Sequence, residues 1–251
     1  DQSNLSTIAD RFVAEKAKLV LAIATTAATT MAGKTADIPI LGTAITDYEA
    51  PKLVQSNEEP GWNISGTSDM NPVAAQIGLL KQLAPDCETV GVLYTSGEMN
   101  SVLQAGMAKE AIEALGMKYV EVTITNTNDV QQAVQKIVGM CDAIYLPTDN
   151  VLASSIPIVY GVTVESKTPV ICGESGMVES GGLATLGISY SELGYQTGLM
   201  AVEILNGADI SKMPVKFITE GFEYKINKTV ADEIGVEIPE ELLPYAFEMG
   251  K

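Results

Sequence analysis

The sequence contains no histidine, and a single arginine, Arg11, in 251 residues. The first absence removes imidazole from every catalytic role: no Ser-His-Asp or Cys-His nucleophile, no imidazole general base, no histidine-held zinc or haem. The second weakens any case for a polyanionic partner. With 15 Lys+Arg against 32 Asp+Glu, the net charge is −17 and the pI about 4.3. Nucleic-acid affinity rests on cationic neutralisation of phosphates, so no nucleic-acid partner is expected. Phosphorylated ligands also lose their usual bidentate arginine. Long apolar runs are missing too. The longest candidate, Leu19–Ala28, has strand length and then breaks into threonines, well short of the roughly 20 residues a membrane-spanning helix needs. Membrane insertion of this segment is therefore not expected. Cysteine is scarce: Cys87, Cys141 and Cys172 stand far apart, with no C-x-x-C spacing to suggest a metal knuckle or a disulfide framework. They read as small buried apolar side chains. Also absent are a G-x-S-x-G elbow, a phosphate-cradling glycine loop and a post-strand G-x-G-x-x-G, so no cofactor and no metal are expected.

What is present is a repeating rhythm of strand, turn and helix. Ser3 or Asn4 can cap a helix with Leu5, Ile8, Phe12 and Val13 on one face. Leu19–Ala24 reads as a buried strand, Thr25 opens an alanine-rich helix, and Ile38–Leu41 is a second strand ending at Gly42. A strand leads to Gly66-Thr67-Ser68-Asp69. Asn71-Pro72 then begins a helix, for which Pro suits the first turn. Strands over 89–94, 118–123, 143–146, 169–172 and 183–189 alternate with helices to about Leu115, after Asn128, near 152–164 and over 193–205. Strands near 215–218 and 222–226 close the series. Continuous apolar strands alternating with helices indicate parallel sheets covered on both faces. The rhythm breaks near 60–70 and 188–194, which suggests two α/β lobes. Residues 1–67 plus about 190–220 are expected to form the first, and 68–189 plus about 221–251 the second.

In open parallel sheets, ligands sit beyond the carboxyl ends of the strands. The loops there hold Thr25 and Thr26; Thr43 and Thr46; Ser68 and Asp69; Tyr94, Glu98, Asn100 and Ser101; Thr148, Asp149 and Asn150; and Glu174 and Ser175. Singly, each Thr, Ser, Asn or Asp is an ordinary helix cap, and Glu174 an ordinary loop charge. Together they make six polar strand ends, with acids recurring. A helix that starts with Thr offers free N–H groups and a favourable dipole to a carboxylate. Glu98 and Asp149 could pair as acid and base, although no spacing places them face to face. Asn63-Ile64-Ser65 and Asn227-Lys228-Thr229 match glycosylation tripeptides short enough to arise by chance.

Several segments together carry a resemblance: Gly66-Thr67-Ser68-Asp69-Met70, Gly91–Tyr94, Asn126–Gln132, Tyr145–Asn150, Gly173–Val178 and Gly194-Tyr195-Gln196-Thr197-Gly198. Over nearly its whole length the sequence resembles ABC-transporter substrate-binding proteins of the tryptophan/tyrosine-type group, a branch of the type I periplasmic-binding-protein fold. The run from Asp142 to Gly198 is the most specific. Members usually begin with a further strand, helix and strand, which this sequence lacks.

The resemblance implies two Rossmann-like lobes joined by three crossings and closing on a small ligand, an aromatic or other hydrophobic amino acid, in the cleft between them. It implies delivery to ABC permease subunits and an extracytoplasmic place, periplasmic or as a cell-surface lipoprotein, as a monomer. Thr25, Thr26, Thr43 and Thr46 match first-lobe donor positions. Asp69 and Glu174 match acids that hold the ligand's ammonium, and Tyr94, Asn100, Ser101 and Asp149 fall on the opposing lobe. The abrupt start at Asp1 is that of a helix and fits removal of a targeting segment. The competing readings are a ligand-sensing domain of a regulator or receptor, and an α/β enzyme using Glu98, Asp149 or Cys172.

Overall fold

The computed structural model describes residues 4–250. The chain divides into two compact units, one comprising Asp1–Met70 with Ile188–Gly221 and the other Asn71–Gly187 with Phe222–Lys251. The expected boundary after Thr67 falls three residues early. Ser68 is still the last residue of a strand of the first unit, and the Asp69 carboxylate is tied to Thr46 and Tyr190 in that same unit.

The first unit is a four-stranded, wholly parallel sheet in the order β1-β2-β3-β9, formed by β1 (Val20–Ile23), β2 (Ile40–Ile45), β3 (Ile64–Ser68) and β9 (Lys216–Phe217). Two helices, α1 (Leu5–Ala14) and α2 (Thr25–Ala32), pack with Val20, Ala22, Ile40 and Ile64 on one face. On the other, Met200 and Ile204 of α9 (Tyr190–Leu205) cover Leu41. At the outer strand, Leu21 and Ile23 pair with Leu41 and Thr43 on this second face and are exposed. Asn4 takes the N-cap position of α1 without a side-chain bond, and Ser3, the other expected cap, lies outside the described residues.

The second unit holds a seven-stranded sheet, β11-β10-β8-β7-β6-β4-β5. Its strands are β4 (Thr89–Thr95), β5 (Lys118–Ile124), β6 (Ala143–Leu146), β7 (Val170–Cys172), β8 (Ala184–Gly187), β10 (Glu223–Asn227) and β11 (Ala246–Phe247). Pairing is parallel except that β10 runs antiparallel to β8, so the sheet is mixed where the sequence rhythm suggested parallel strands alone. Alternation along β6 shows why both faces must be covered. Ala143 and Tyr145 enter the core beneath α3 (Val73–Leu83), α4 (Met99–Ala114) and α10 (Lys228–Ile234). Ile144 and Leu146 enter the other core, with α5 (Val130–Ile137), α6 (Asn150–Ala153), α7 (Ile156–Ser166) and α8 (Ser175–Glu179). A fully buried Ile or Leu contributes about 1.5–3 kcal/mol, and these two faces hold most of the buried aliphatic residues of the unit.

Local chemistry departs from the expected elements at three places. The helix expected over 152–164 is two, because Ser154 and Ser155 interrupt it and Pro157 restarts it near the first turn of α7. Ahead of α5 the capping side chain is not Asn128 but Asn126, which opens a short turn over Thr127–Asp129. Its side chain accepts the Asn128 N–H while Asp129 bonds back to the Asn126 N–H, a reciprocal capping box. Of residues 173–176, expected as loop, Ser175 and Gly176 already belong to α8.

Candidate functional site

In the first unit the carboxyl ends of β1, β2 and β3 bring Thr25, Thr26, Thr43, Thr46, Ser68 and Asp69 to one edge of the sheet. The helix α2 starts at Thr25 with no side-chain cap: its N-cap residue is Ala24, held at φ +72°. A left-handed non-glycine residue costs on the order of 1–3 kcal/mol and persists where the surroundings impose it. Here the Ala24 N–H donates to Thr43 O at 3.0 Å, locking the turn to β2. The first amides of α2 are left facing out of the helix.

Beside them, a buried knot of three threonine hydroxyls forms. The hydroxyls of Thr43, Thr67 and Thr197 lie within 2.8–3.1 Å of one another, and Thr197 Oγ1 is also 2.8 Å from Leu193 O, so their three protons are shared among these contacts. Thr46 donates to Asp69 Oδ1 and Tyr190 to Asp69 Oδ2, each at 3.0 Å, and Ser68 donates to Thr46 O at 2.8 Å. Asp69 is thus buried with both oxygens engaged, and it does not cap α3, which has no side-chain cap. Tyr48, wholly buried, donates to Thr67 O, and burial followed by the nearby Asp69 charge raises its pKa well above the ordinary tyrosine value.

In the second unit the ends of β4, β6 and β7 gather the remaining candidates with different outcomes. Asp149 is a structural pin. Oδ2 accepts from Thr95 N at 2.7 Å, and Oδ1 accepts from Thr95 Oγ1 and Leu152 N at 2.9 Å each, so it caps α6 and fastens β4 to it. Glu174 caps its own helix α8, each oxygen taking a backbone N–H, from Gly176 at 2.6 Å and Met177 at 2.7 Å. Burial pushes its carboxyl pKa up, and those two amides offset part of the rise. Ser175 follows as the first residue of α8. Tyr94 is not brought to this edge. It precedes the last strand residue, its ring packs on the core under α3 and α4, and its hydroxyl donates to Glu121 on β5. The Tyr94 ring, read from the sequence as part of the strand-end loop, is therefore turned onto the sheet face, because alternation along β4 gives the terminal position to Thr95.

Glu98, Asn100, Ser101, Thr148 and Asn150 do come together. Glu98, 1% exposed, stands at the N-cap of α4 yet makes no cap bond there. Its Oε2 accepts instead from the Asn150 N–H at 3.1 Å and Asn150 Nδ2 at 2.8 Å. Asn100 Nδ2 donates to Thr148 O at 2.8 Å, and Ser101 Oγ to the same carbonyl at 3.3 Å. The Thr148 N–H donates to Gln104 Oε1 at 2.8 Å. Three buried atoms of this cluster, Glu98 Oε1, Asn100 Oδ1 and Thr148 Oγ1, have no hydrogen-bond partner. Buried polar groups are nearly always paired, and an orphaned one costs about 1–3 kcal/mol.

Several organising residues lay outside the sequence candidates: Thr67, Thr95, Gln104, Tyr190 and Thr197. Gln76 is another. From α3 its amide donates to Leu186 O and Gly173 O, and its carbonyl accepts from the buried Tyr145 hydroxyl. Two surface cavities, about 390 Å³ beside Trp62 in the first unit and about 450 Å³ beside Pro85 and Pro239 in the second, contain none of the strand-end residues. Among the described residues no group of His, Cys, Asp and Glu could hold a metal, and no helix is long and apolar enough to cross a membrane.

A family model for the ABC transporter substrate binding protein matches residues 1–250. The chain belongs to that family. It is 40% identical over 220 residues to a tyrosine-binding protein of Clostridioides difficile strain R20291, covering 88% of this chain and 64% of that protein. It thus spans less than two thirds of that relative's length. Among solved structures it is similar to an ABC domain from Streptococcus pneumoniae in complex with L-Trp, with TM-score 0.94 and 38% identity over 99% of this chain and 84% of that one. A ligand-free, open substrate binding protein with adhesive properties from Clostridium difficile matches at TM-score 0.73 and 42% identity, with the same coverage. The α/β units of this family member are those of the type I periplasmic-binding fold that its motifs implied.

Proposed function

We propose that this substrate-binding protein is the extracytoplasmic receptor of an ABC importer, capturing a small amino-acid-like ligand and delivering it to the permease subunits. An aromatic or other hydrophobic amino acid is the favoured cargo. The observation that carries the reading is the family match over residues 1–250, joined to six strand-end loops built from hydroxyls, amides and acids. A tyrosine-binding protein and a domain complexed with L-Trp are among the similar proteins. The chemistry suits an amino acid. In the first unit the uncapped start of α2 offers backbone donors fit for a carboxylate. In the second, the Glu98 cluster is rich in acceptors.

The ligand leaves unchanged, without covalent chemistry. The sulfur of Cys172 is fully buried and its thiol pKa is pushed far above the ordinary value by burial, which keeps it protonated and a poor nucleophile. Both oxygens of Asp149 are spent on structural bonds.

The test is calorimetric titration with tryptophan, tyrosine, phenylalanine and leucine, alongside a thermal-shift panel, since a ligand that binds only the folded state must raise the melting temperature. Saturable binding of at least one aromatic or branched amino acid, recovered intact afterwards, is the expected result. No binding across the panel would overturn the reading.

A further inference from the structure

Four of the candidate residues at strand ends are acids, and three of them have both carboxylate oxygens occupied. Asp69 is held by Thr46 and Tyr190, Asp149 by Thr95 and Leu152, and Glu174 by Gly176 and Met177. Glu98 differs: one oxygen takes both donors of Asn150, and the other, buried, takes none. Next to it Asn100 is fixed in orientation, because its Nδ2 must face the Thr148 carbonyl at 2.8 Å. Oδ1 is therefore the atom left unpaired. Thr148, whose backbone N–H and carbonyl are both used within the cluster, contributes the third unpaired oxygen, Oγ1.

We propose that Glu98 Oε1, Asn100 Oδ1 and Thr148 Oγ1 are the acceptors for the ammonium group of the ligand, and that Glu98, not Asp69 or Glu174, supplies the countercharge. This rests on the receptor reading above and gives its site a specificity. The count is the argument. A carboxylate oxygen and an amide oxygen can only accept, and a hydroxyl can accept. An ammonium is a donor-only group with three N–H bonds and one positive charge. One such group satisfies all three orphans and brings its positive charge to the strand-end carboxylate that has an oxygen bare, which a ligand lacking the amine does not do. The site then rejects deaminated analogues because they would leave the orphans unpaired, a stronger discrimination than apolar shape provides.

The test titrates wild type, Glu98→Gln and Thr148→Val with tyrosine and tryptophan and with their deaminated analogues, 3-(4-hydroxyphenyl)propionate and 3-(indol-3-yl)propionate. Wild type is expected to prefer each amino acid over its analogue by on the order of 100-fold. Glu98→Gln loses the charge and points an amide donor at the ammonium, so amino-acid affinity falls by on the order of 100-fold while analogue affinity holds, and the preference collapses. Thr148→Val keeps the backbone bonds of the loop and removes only Oγ1. Its expected loss is on the order of 10-fold, confined to the amino acids. It also answers for the cluster if the glutamine variant does not fold.

An unchanged preference in Glu98→Gln, or in Thr148→Val where that variant stands in for it, would overturn the assignment while leaving the receptor reading intact. Equal wild-type affinity for amino acid and analogue does the same. Wild type that binds none of the four compounds strikes at the receptor reading itself.

Discussion

Asp149 and Glu98 look alike in the sequence, an acid just past a strand, yet substitution should separate them cleanly. In Asp149→Asn, one oxygen becomes an NH₂ in a pocket where every neighbour is a donor or a hydroxyl. Placed at Oδ2, the NH₂ opposes Thr95 N–H at 2.7 Å and orphans a buried donor, at a cost of about 1–3 kcal/mol. Placed at Oδ1, it opposes Leu152 N–H and removes the cap of α6, which costs about 0.5–2 kcal/mol on its own, and the surviving bonds also lose their charge assistance. Both orientations come to about 2 kcal/mol. At about 2–4 °C per kcal/mol for a domain of 150–250 residues, the melting temperature of the ligand-free protein should fall by about 4–8 °C. The assay is thermal and urea unfolding followed by circular dichroism, with calorimetry on the folded variant at about 20 °C, near maximum stability. Amino-acid affinity should stay within about threefold of wild type, because no atom of Asp149 is left to face a ligand. A variant with unaltered stability and lost affinity would refute the assignment of Asp149 as a pin.

Gln76→Leu keeps the volume near that of glutamine but strips the partners from the Tyr145 hydroxyl and Leu186 O, both buried. A loss of about 3 kcal/mol is expected, seen as a lower urea midpoint at unchanged slope. Adding Tyr145→Phe should recover about 1 kcal/mol of it, since removing both partners of a buried bond costs less than removing one. The thiols set an alkaline limit. Burial pushes Cys87 and Cys141 from 9.0 up to about 11. Between those values the unfolded chain releases these protons while the folded chain keeps them, so stability should fall as pH rises from about 9 to about 11, with no contribution from these groups below about 9. Urea unfolding at intervals of about one pH unit across that range should show a steeper decline for wild type than for Cys87→Ala/Cys141→Ala. Parallel declines would count against it.

The parts of the fold legible from the sequence were those fixed by local periodicity. The run Leu19–Ala24 contains β1, and the alternation of apolar strands with helices contains the two α/β units. What escaped was set by partners distant in sequence. The antiparallel pairing of Glu223–Asn227 with Ala184–Gly187 joins segments some forty residues apart, and nothing within either strand encodes its direction. Tyr94 was misread for a related reason. A ring one residue before a strand's end belongs to the opposite face from the terminal side chain, and the register of β4 against β5 turned it toward Glu121.

At the candidate site the polar strand ends were visible, but their division of labour was not. A cap and a ligand contact draw on the same side chains, Ser, Thr, Asp, Asn and Glu, for the same reason: each presents oxygen to an unpaired N–H. Only the completed set of bonds tells them apart. Asp149 receives three donors on two oxygens and has its structural role filled. Glu98 receives all of its donors on Oε2, and a chain that buries the other oxygen bare forgoes a hydrogen bond that water would have given it. Folding alone gains nothing from that arrangement, which is why the missing donor is proposed to come from the ligand.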